Sequence, residues 1–256
     1  RIQSKDARIR LLLSLSANLK VTDWLTLQAR GNLDYSADKL RQKFYASTAT
    51  ALCGMNGRYI EMDYQETQMY GDVMAMVKKQ LNDFTLDVAI GGSINDRITN
   101  STRIDSKNAS LKYANVFNLA NIVMSSSASI DQKIDAHYQL QSVFATAQIG
   151  YKEGVFLDLT ARNDWSSTLA YTKYEKKGFF YPSVGVSFLP DKWVKMPEWV
   201  SFSKLRGAYS IVGNGVPPFI TYPVSYVTAG GEILASDAAP FAEMKPEMTH
   251  SVELGI

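Results

Sequence analysis

The residue types that carry out enzyme chemistry are few in this sequence and lie far apart. The single cysteine, Cys53, has no histidine near it to activate a thiolate, and a lone cysteine excludes an internal disulfide. His137 and His250, the two histidines, lack any metal-ligand spacing. Asp158 and Asp164 lie six positions apart across a strand end, which gives no argument for an acid–base pair. We therefore expect no enzyme, no metal site and no cofactor.

Charge and hydropathy exclude further classes. With 27 Lys and Arg against 25 Asp and Glu in 256 residues, the net charge is +2, so no nucleic-acid partner is expected. No run reaches the roughly 18 consecutive apolar residues of a membrane-spanning helix, and the mean hydropathy is −0.14. These measures do not test for transmembrane strands, which are apolar on one face only.

The elements that position the side chains are long strands with two different faces. From Arg8 to Lys20, every second residue from Ile9 to Leu19 is apolar, and the others are polar except Leu12. Side chains of a strand alternate between its two faces, so this pattern predicts a strand with one apolar face and one polar face. Eight further segments repeat it: 25–35, 65–78, 83–95, 137–150, 155–162, 181–189, 203–213 and a ninth strand ending at Ile256.

The connections between these segments alternate in length. Short turns are predicted at 21–23, 79–82 and 152–154, and longer links at 36–64, from 96 to Ala136, at 163–178 and at 213–247, with 190–202 intermediate. Bacterial outer-membrane barrels have short periplasmic turns and long extracellular loops. Aromatic residues near strand ends, such as Trp24, Tyr35, Phe179 and Tyr181, suit the interfacial girdles of such a barrel. We predict an all-β, antiparallel transmembrane β-barrel, partial in this chain.

The strand count indicates a slice of a larger barrel. Bacterial barrels have an even number of strands, and an open edge in lipid leaves backbone groups unpaired. Nine strands are predicted, the ninth without a partner, and the first residues do not resemble a signal peptide. We expect residues 1–256 to be part of one barrel domain and the signal peptide to be absent from this chain.

Four segments in the second half match the motifs of one family in the right order. They are RNDWSS at 162–167, YPSVGVSF at 181–188, LRGAYSIVGN at 205–214 and MKPEMT at 244–249. They resemble the R-x-D-x-S-S, F-P-S-V, L-R-x-S-Y-G-x-x-G-N and L-K-P-E-x-T segments of the SusC/RagA family of TonB-dependent outer-membrane transporters from Bacteroidota. Ser210-Ile211 and Met244 depart from the family pattern without changing a strand face.

The resemblance implies active import through the outer membrane. A SusD-like surface lipoprotein would close the substrate cavity of the barrel on the outside, and a plug domain would close it below. TonB would supply the energy for import. The plug domain and the TonB box are expected outside this chain. The cargo implied is an oligosaccharide, with peptides as the other class. Trp165, Tyr171 and Tyr174 are predicted to share one external loop, where they would stack on sugar rings, pack within the loop or contact the partner. Arg162 and Asp164 are expected in a polar network.

Two other function classes share part of the pattern. A passive porin or a surface adhesin barrel would show the same alternation and loop asymmetry, and a plug domain and TonB box upstream would separate a transporter from both. A soluble all-β binding module would need a second sheet over its apolar faces and would stay soluble without detergent. The four ordered motifs favour the transporter.

Overall fold

The protein, described from a computed structural model, is one antiparallel sheet of nine strands with a small separate hairpin. The structure describes residues 1–107, 111–124, 128–228 and 230–256. Neighbours in the sheet are also neighbours along the chain, apart from the hairpin. The sheet strands are β1 (Ile2–Lys20), β2 (Leu25–Phe44), β3 (Arg58–Leu81), β4 (Phe84–Asp105), β5 (Ser129–Tyr151), β6 (Val155–Ser166), β7 (Phe179–Phe188), β8 (Leu205–Asn214) and β11 (Glu247–Gly255), and the hairpin is β9 (Tyr226–Val227) with β10 (Ile233–Leu234).

The register places the apolar residues of successive strands side by side. One row of direct partners crosses seven strands: Leu19, Leu27, Ala75, Ile90, Ala145, Ala161 and Pro182. We call the face with this row the outer face and the opposite one the inner face. Outer-face side chains are exposed despite being apolar, with Leu15 at 78% and Ile90 at 60%. A water-soluble domain does not leave so extended an apolar surface uncovered.

The apolar part of the outer face is a band of limited height. On β4 it runs from Phe84 to Ile94, which at about 3.3 Å per residue and a tilt of about 40° spans roughly 25 Å, the height of the apolar band of outer-membrane barrels. Beyond Ile94 the outer face becomes polar: Asp96 accepts hydrogen bonds from His137 and from Gln139, each at 2.8 Å. The described residues contain no helix long and apolar enough to cross a membrane.

All nine predicted strands are present, but the first six are longer than the sequence pattern indicated, and β6 continues to Ser166. β1 begins at Ile2, β2 continues to Phe44, and β3, β4 and β5 extend well beyond the band into the links predicted at 36–64 and before Ala136. Tyr35 therefore lies within a strand and not at its end. The alternation ends earlier than the strands because both faces are mostly polar beyond the band. There the strands stay paired and carry ion pairs such as Arg41 to Glu61 at 2.8 Å and Lys39 to Asp63 at 3.6 Å.

The alternation of connection lengths is confirmed. At one end of the sheet, residues 21–24, 82–83 and 152–154 make tight turns, and 189–204 form a longer link. Asn82, Lys152 and Glu153 have φ of 51°, 47° and 54°, the left-handed conformation that tight hairpin turns require. At the other end lie the long connections 45–57, 106–128, 167–178 and 215–246, the last of which contains the hairpin.

Aromatic rings collect at the turn end of the band. Phe84 and Tyr151 have ring centroids 4.8 Å apart, and Tyr151 and Trp193 lie 5.6 Å apart. Trp193 covers the turn so closely that a Cβ on Gly154 would lie 1.9 Å from its Nε1. Lys152 lies over both Tyr151 and Trp193. Such a group, apolar with a polar rim, fits a headgroup layer.

We expect the two faces of β6 to respond differently to charge. Leu159 lies on the outer face and Thr160 on the inner face. Leu159→Arg would lower the free energy of unfolding in lipid by roughly 2–4 kcal/mol, because it places a cation against hydrocarbon. Thr160→Arg, the matched control, would change it far less. Denaturant titration of the full-length protein in vesicles measures both, and equal losses would contradict the assignment of faces.

Candidate functional site: inner face and long connections

Arginine–carboxylate pairs join neighbouring strands across the inner face. Arg10 Nη2 lies 2.6 Å from Asp34 Oδ2 between β1 and β2, and Arg30 Nη2 lies 2.9 Å from Asp72 Oδ2 between β2 and β3. Arg8 and Asp38 form a further pair on the same two strands as the first. Each pair engages two guanidinium nitrogens. Bidentate ion pairs fix both side chains in place, so the inner face of the sheet, which we call the wall, is ordered and charged.

Asp72 is the most enclosed of these carboxylates. Its side chain is fully buried, while that of Arg30 is 44% exposed. A buried carboxylate is costly unless it is paired and hydrogen-bonded, and Arg30 meets that requirement. The geometry supports a structural role, because the partner of Asp72 is a permanent cation of the wall.

Amides and further ion pairs extend the polar network. Gln68 donates to Asn95 at 3.0 Å, and Gln148 donates to Asp158 at 2.7 Å. Arg162, predicted to share a network with Asp164, donates to Asp164 at 2.7 Å and to the hydroxyl of Ser142 at 2.8 Å. Asp158 is held by an amide, and the arrangement places hydrogen-bonding groups along the inner face.

Two long connections pack together into a small folded unit above the band. Its buried core comprises Tyr59, Leu111, Ile122 and Ala128, with Phe117 packed against it. The connection 45–57 joins this unit, because Asn56 donates to the carbonyl of Leu111 at 2.7 Å and the amide of Ala46 donates to Asn115 at 2.8 Å. Cys53 is buried within this connection. We call this assembly the upper loop unit.

Asp105 ties the upper loop unit to the end of β4. Its carboxylate accepts hydrogen bonds from Arg58 at 2.7 and 2.8 Å, from Arg103 at 3.0 Å and from the amide of Lys107 at 2.8 Å. Burial alone would raise the pKa of this carboxyl, but the hydrogen bonds from Arg58 and Lys107 and the nearby cations together hold the pKa below its ordinary value. Asp105 is therefore ionised and holds the start of the connection 106–128 beside the end of the connection 45–57.

The three aromatic residues predicted to share one external loop do not do so. Trp165 lies inside β6 on the outer face, paired with Gln141, where it borders the upper edge of the apolar band. The continuation of β6 to Ser166 explains the error. Tyr171 and Tyr174 do lie in the connection 167–178: Tyr171 is 71% exposed and its ring centroid is 5.1 Å from that of Tyr222, while Tyr174 is half-buried against Phe179.

The connections 167–178 and 215–246 also pack together. Thr221 donates to the carbonyl of Ala170 at 2.9 Å, and the amide of Lys173 donates to the carbonyl of Ala242 at 2.9 Å. The ammonium of Lys173 binds the carboxylate of Glu243, which raises the pKa of Lys173. The pairing of Tyr171 with Tyr222 belongs to this second unit.

A cavity of about 460 Å³ lies between the inner face and the start of the connection 215–246. Glu66 of β3, Arg97 of β4, and Lys133 and Tyr138 of β5 line it from the wall. No local sequence pattern assigns a role to any of them, because each is one polar or aromatic residue in a strand and only the sheet brings them together. In the described parts of the chain, no group of three or more His, Cys, Asp or Glu residues is placed to hold a metal ion.

The sequence profile of the family "TonB dependent receptor-like, beta-barrel" matches residues 2–256. The chain belongs to this family. No curated protein shows a significant sequence match.

Solved structures show the same fold. The chain superposes on a solved structure of the RagAB peptide transporter with a TM-score of 0.79 at 17% sequence identity. The superposition covers 99% of this chain and 28% of the transporter chain. For the RagAB peptide importer in the closed-closed state the TM-score is 0.77, again at 17% identity with coverages of 99% and 28%. For the open-open state it is 0.71 at 18% identity, with coverages of 98% and 26%. The chain thus spans little more than a quarter of the length of these transporters.

We expect Asp105→Asn to loosen the upper loop unit. The substitution leaves Arg58 and Arg103 without their carboxylate partner, and breaking such a buried pair costs roughly 3 kcal/mol. Trypsin should then cut after Lys107 or Lys112 much faster in the full-length protein in vesicles, because cleavage follows the population of the open form.

Asp63→Asn is the control for this experiment. It removes the same charge from an exposed pair with Lys39, worth about 0–1 kcal/mol. Similar cleavage rates for the two variants would show that Asp105 does not anchor the connection.

Proposed function

We propose that this chain is part of the wall of an outer-membrane protein that actively imports a nutrient. The observation that carries the proposal is the two-faced sheet, with an apolar outer band of membrane height and an inner face ordered by ion pairs. Membership of the TonB-dependent receptor-like barrel family supports TonB-derived energy as the drive. The protein then acts as a transporter and not as an enzyme, with the described wall serving as scaffold and lining.

We place all of residues 1–256 in the barrel domain. In this arrangement the long connections face outside the cell and the tight turns face the periplasm, as in outer-membrane barrels generally. A plug domain and a TonB box would belong to other parts of the full protein. The lipid of the outer membrane surrounds the apolar band.

The long connections are proposed to meet a SusD-like surface lipoprotein. The upper loop unit and the packed connections 167–178 and 215–246 give this end of the wall ordered surfaces, which suit a partner better than separate mobile loops. The resemblance of the motifs at 162–167, 181–188, 205–214 and 244–249 to SusC/RagA transporters supports the same partner.

For the cargo, we propose an oligosaccharide, with a peptide as the second candidate. The family motifs support the first, and the exposed ring of Tyr171 offers a stacking surface for a sugar. The similar solved structures are named as peptide transporters, which supports the second.

Uptake by cells that carry the full-length protein tests the transporter proposal. We expect accumulation of labelled cargo to stop on deletion of the gene, on loss of TonB and on dissipation of the proton-motive force. A passive porin would keep its uptake in the last two conditions. An adhesin would show surface binding without accumulation, and a soluble binding module would be recovered without detergent.

Substitution of Tyr171 and of Trp165 should distinguish an aromatic residue that stacks on cargo from one that faces lipid. If Tyr171 stacks on cargo, Tyr171→Ala should raise the KM of uptake about twofold to tenfold, the equivalent of about 0.5–1.5 kcal/mol of aromatic contact. Trp165→Ala, on the lipid-facing side, should leave that KM unchanged. Unchanged uptake kinetics in Tyr171→Ala would assign Tyr171 to loop packing or partner contact.

A further inference from the structure

The cavity on the inner face has a composition suited to a charged ligand. The chain reaches it from two distant parts of the sheet, because Asn214, the end of β8, and the residues after it lie against side chains of β3, β4 and β5. β8 and β5 are three strands apart in the sheet, so residues 214–219 pass over the inner face. The inference drawn from this cavity rests on the proposed import function and specifies part of its cargo.

Positive charge exceeds negative charge in the cavity. Arg97 and Lys133 contribute cations, and Glu66 is the single carboxylate among the lining residues. The hydroxyl of Tyr64 donates to Glu66 at 2.6 Å, so part of the acceptor capacity of that carboxylate is already used. Within the described residues, no carboxylate lies within ion-pairing distance of Lys133. Asp131, two residues before Lys133 on the same face, is not among the lining residues.

Arg97 is held in place without its hydrogen-bonding capacity being satisfied. Its guanidinium carbon lies 5.9 Å from the centroid of the Tyr138 ring, and its Nε lies 4.0 Å from Glu66 Oε1, beyond hydrogen-bond distance. That Nε is buried and has no hydrogen-bond partner, while the side chain as a whole is 43% exposed. A buried donor without a partner is rare in folded proteins, so the hydrogen-bonding capacity of Arg97 is not met by its protein neighbours.

The opposite wall of the cavity is apolar and conformationally constrained. Val216, Pro218 and Phe219 line it from the connection. Phe219 has φ of 64°, a left-handed conformation that costs a bulky side chain roughly 1–2 kcal/mol. Strained residues of this kind concentrate at ligand-binding positions. The cavity thus places two cations on one side and apolar side chains on the other.

We propose that this cavity is a binding site for a carboxylate carried by an amphipathic unit of the cargo. The carboxylate binds Arg97 and Lys133, and the apolar part of the same unit packs on Val216, Pro218 and Phe219. A planar carboxylate matches the fork of a guanidinium. Glu66 disfavours a doubly charged phosphate more than a singly charged carboxylate, because like-charge repulsion grows with ligand charge.

Two cargo chemistries carry such a group, the carboxyl terminus of a peptide and a uronic acid of an oligosaccharide. Matched acid and neutral probes distinguish them. The first pair is acetyl-Ala-Ala-Phe with a free carboxylate and its carboxyl amide, and the second is trigalacturonate and its fully methyl-esterified form. The receptor is the full-length detergent-solubilised transporter, and calorimetric titration measures the affinity for each probe.

We expect the wild-type protein to bind the acid of one probe pair at least tenfold more tightly than the neutral compound of that pair. A preference within the peptide pair identifies the cargo as a peptide, and a preference within the sugar pair identifies it as an acidic oligosaccharide. Arg97→Gln and Lys133→Gln should each remove most of that preference. Lys5→Gln, which removes a charge from the outer face, should retain it. A difference in gel migration between unheated and heated samples checks that each variant is folded.

The proposed carboxylate site is wrong if the wild-type protein shows no preference for the acid in either probe pair. It is also wrong if Arg97→Gln and Lys133→Gln both keep the preference for the acid. Uptake measurements keep this failure separate from failure of the transporter proposal. TonB-dependent accumulation of radiolabelled acetyl-Ala-Ala-Phe or trigalacturonate that is unaffected by Arg97→Gln and Lys133→Gln would rule out the carboxylate site and leave import intact. Uptake that persists without TonB would overturn the import proposal itself.

Discussion

Every other feature of this protein depends on the pairing of backbone amides and carbonyls between adjacent strands. Hydrocarbon offers no water to replace a missing hydrogen bond, so a strand in lipid must be paired along its whole apolar length. The continuous antiparallel ladders from β1 through β8 to β11 meet that requirement inside the sheet. Because the pairing also fixes which residues lie side by side, it decides where each charge and each ring of the protein lies.

The register separates two solvents on the two sides of one sheet. The row from Leu19 to Pro182 faces outward over seven strands, and the pairs of Arg10 with Asp34 and Arg30 with Asp72 face inward. A shift of one residue in any strand would turn its charges toward lipid, where they are costly. The cross-strand ion pairs therefore favour the correct register as well as lining the interior. Beyond the apolar band this asymmetry is no longer needed, and both faces become polar.

The long connections form ordered units because the strands continue beyond the band and hold them. Arg58 and Asp105, at the ends of β3 and β4, bring residues 45–57 and 106–128 together around a small apolar core. Likewise, the start of the connection after β8 lies over β3 to β5 and encloses the cavity with Arg97 and Lys133. The parts that would meet cargo or partner are thus positioned by the same wall that crosses the membrane.

The sequence by itself determined the strands, their two faces and the alternation of turn lengths, because these depend on neighbours two positions apart or on short turns. It also indicated the pairing of Arg162 with Asp164, which are two residues apart. It misplaced Trp165 and shortened β1 to β6, since polar residues on both faces remove the alternation while the strand continues. Only the tertiary structure decided that Arg97, Tyr138 and Phe219 share one cavity. These residues are brought together by strand register and by the return of a connection over the sheet, and neither leaves a local pattern in the sequence.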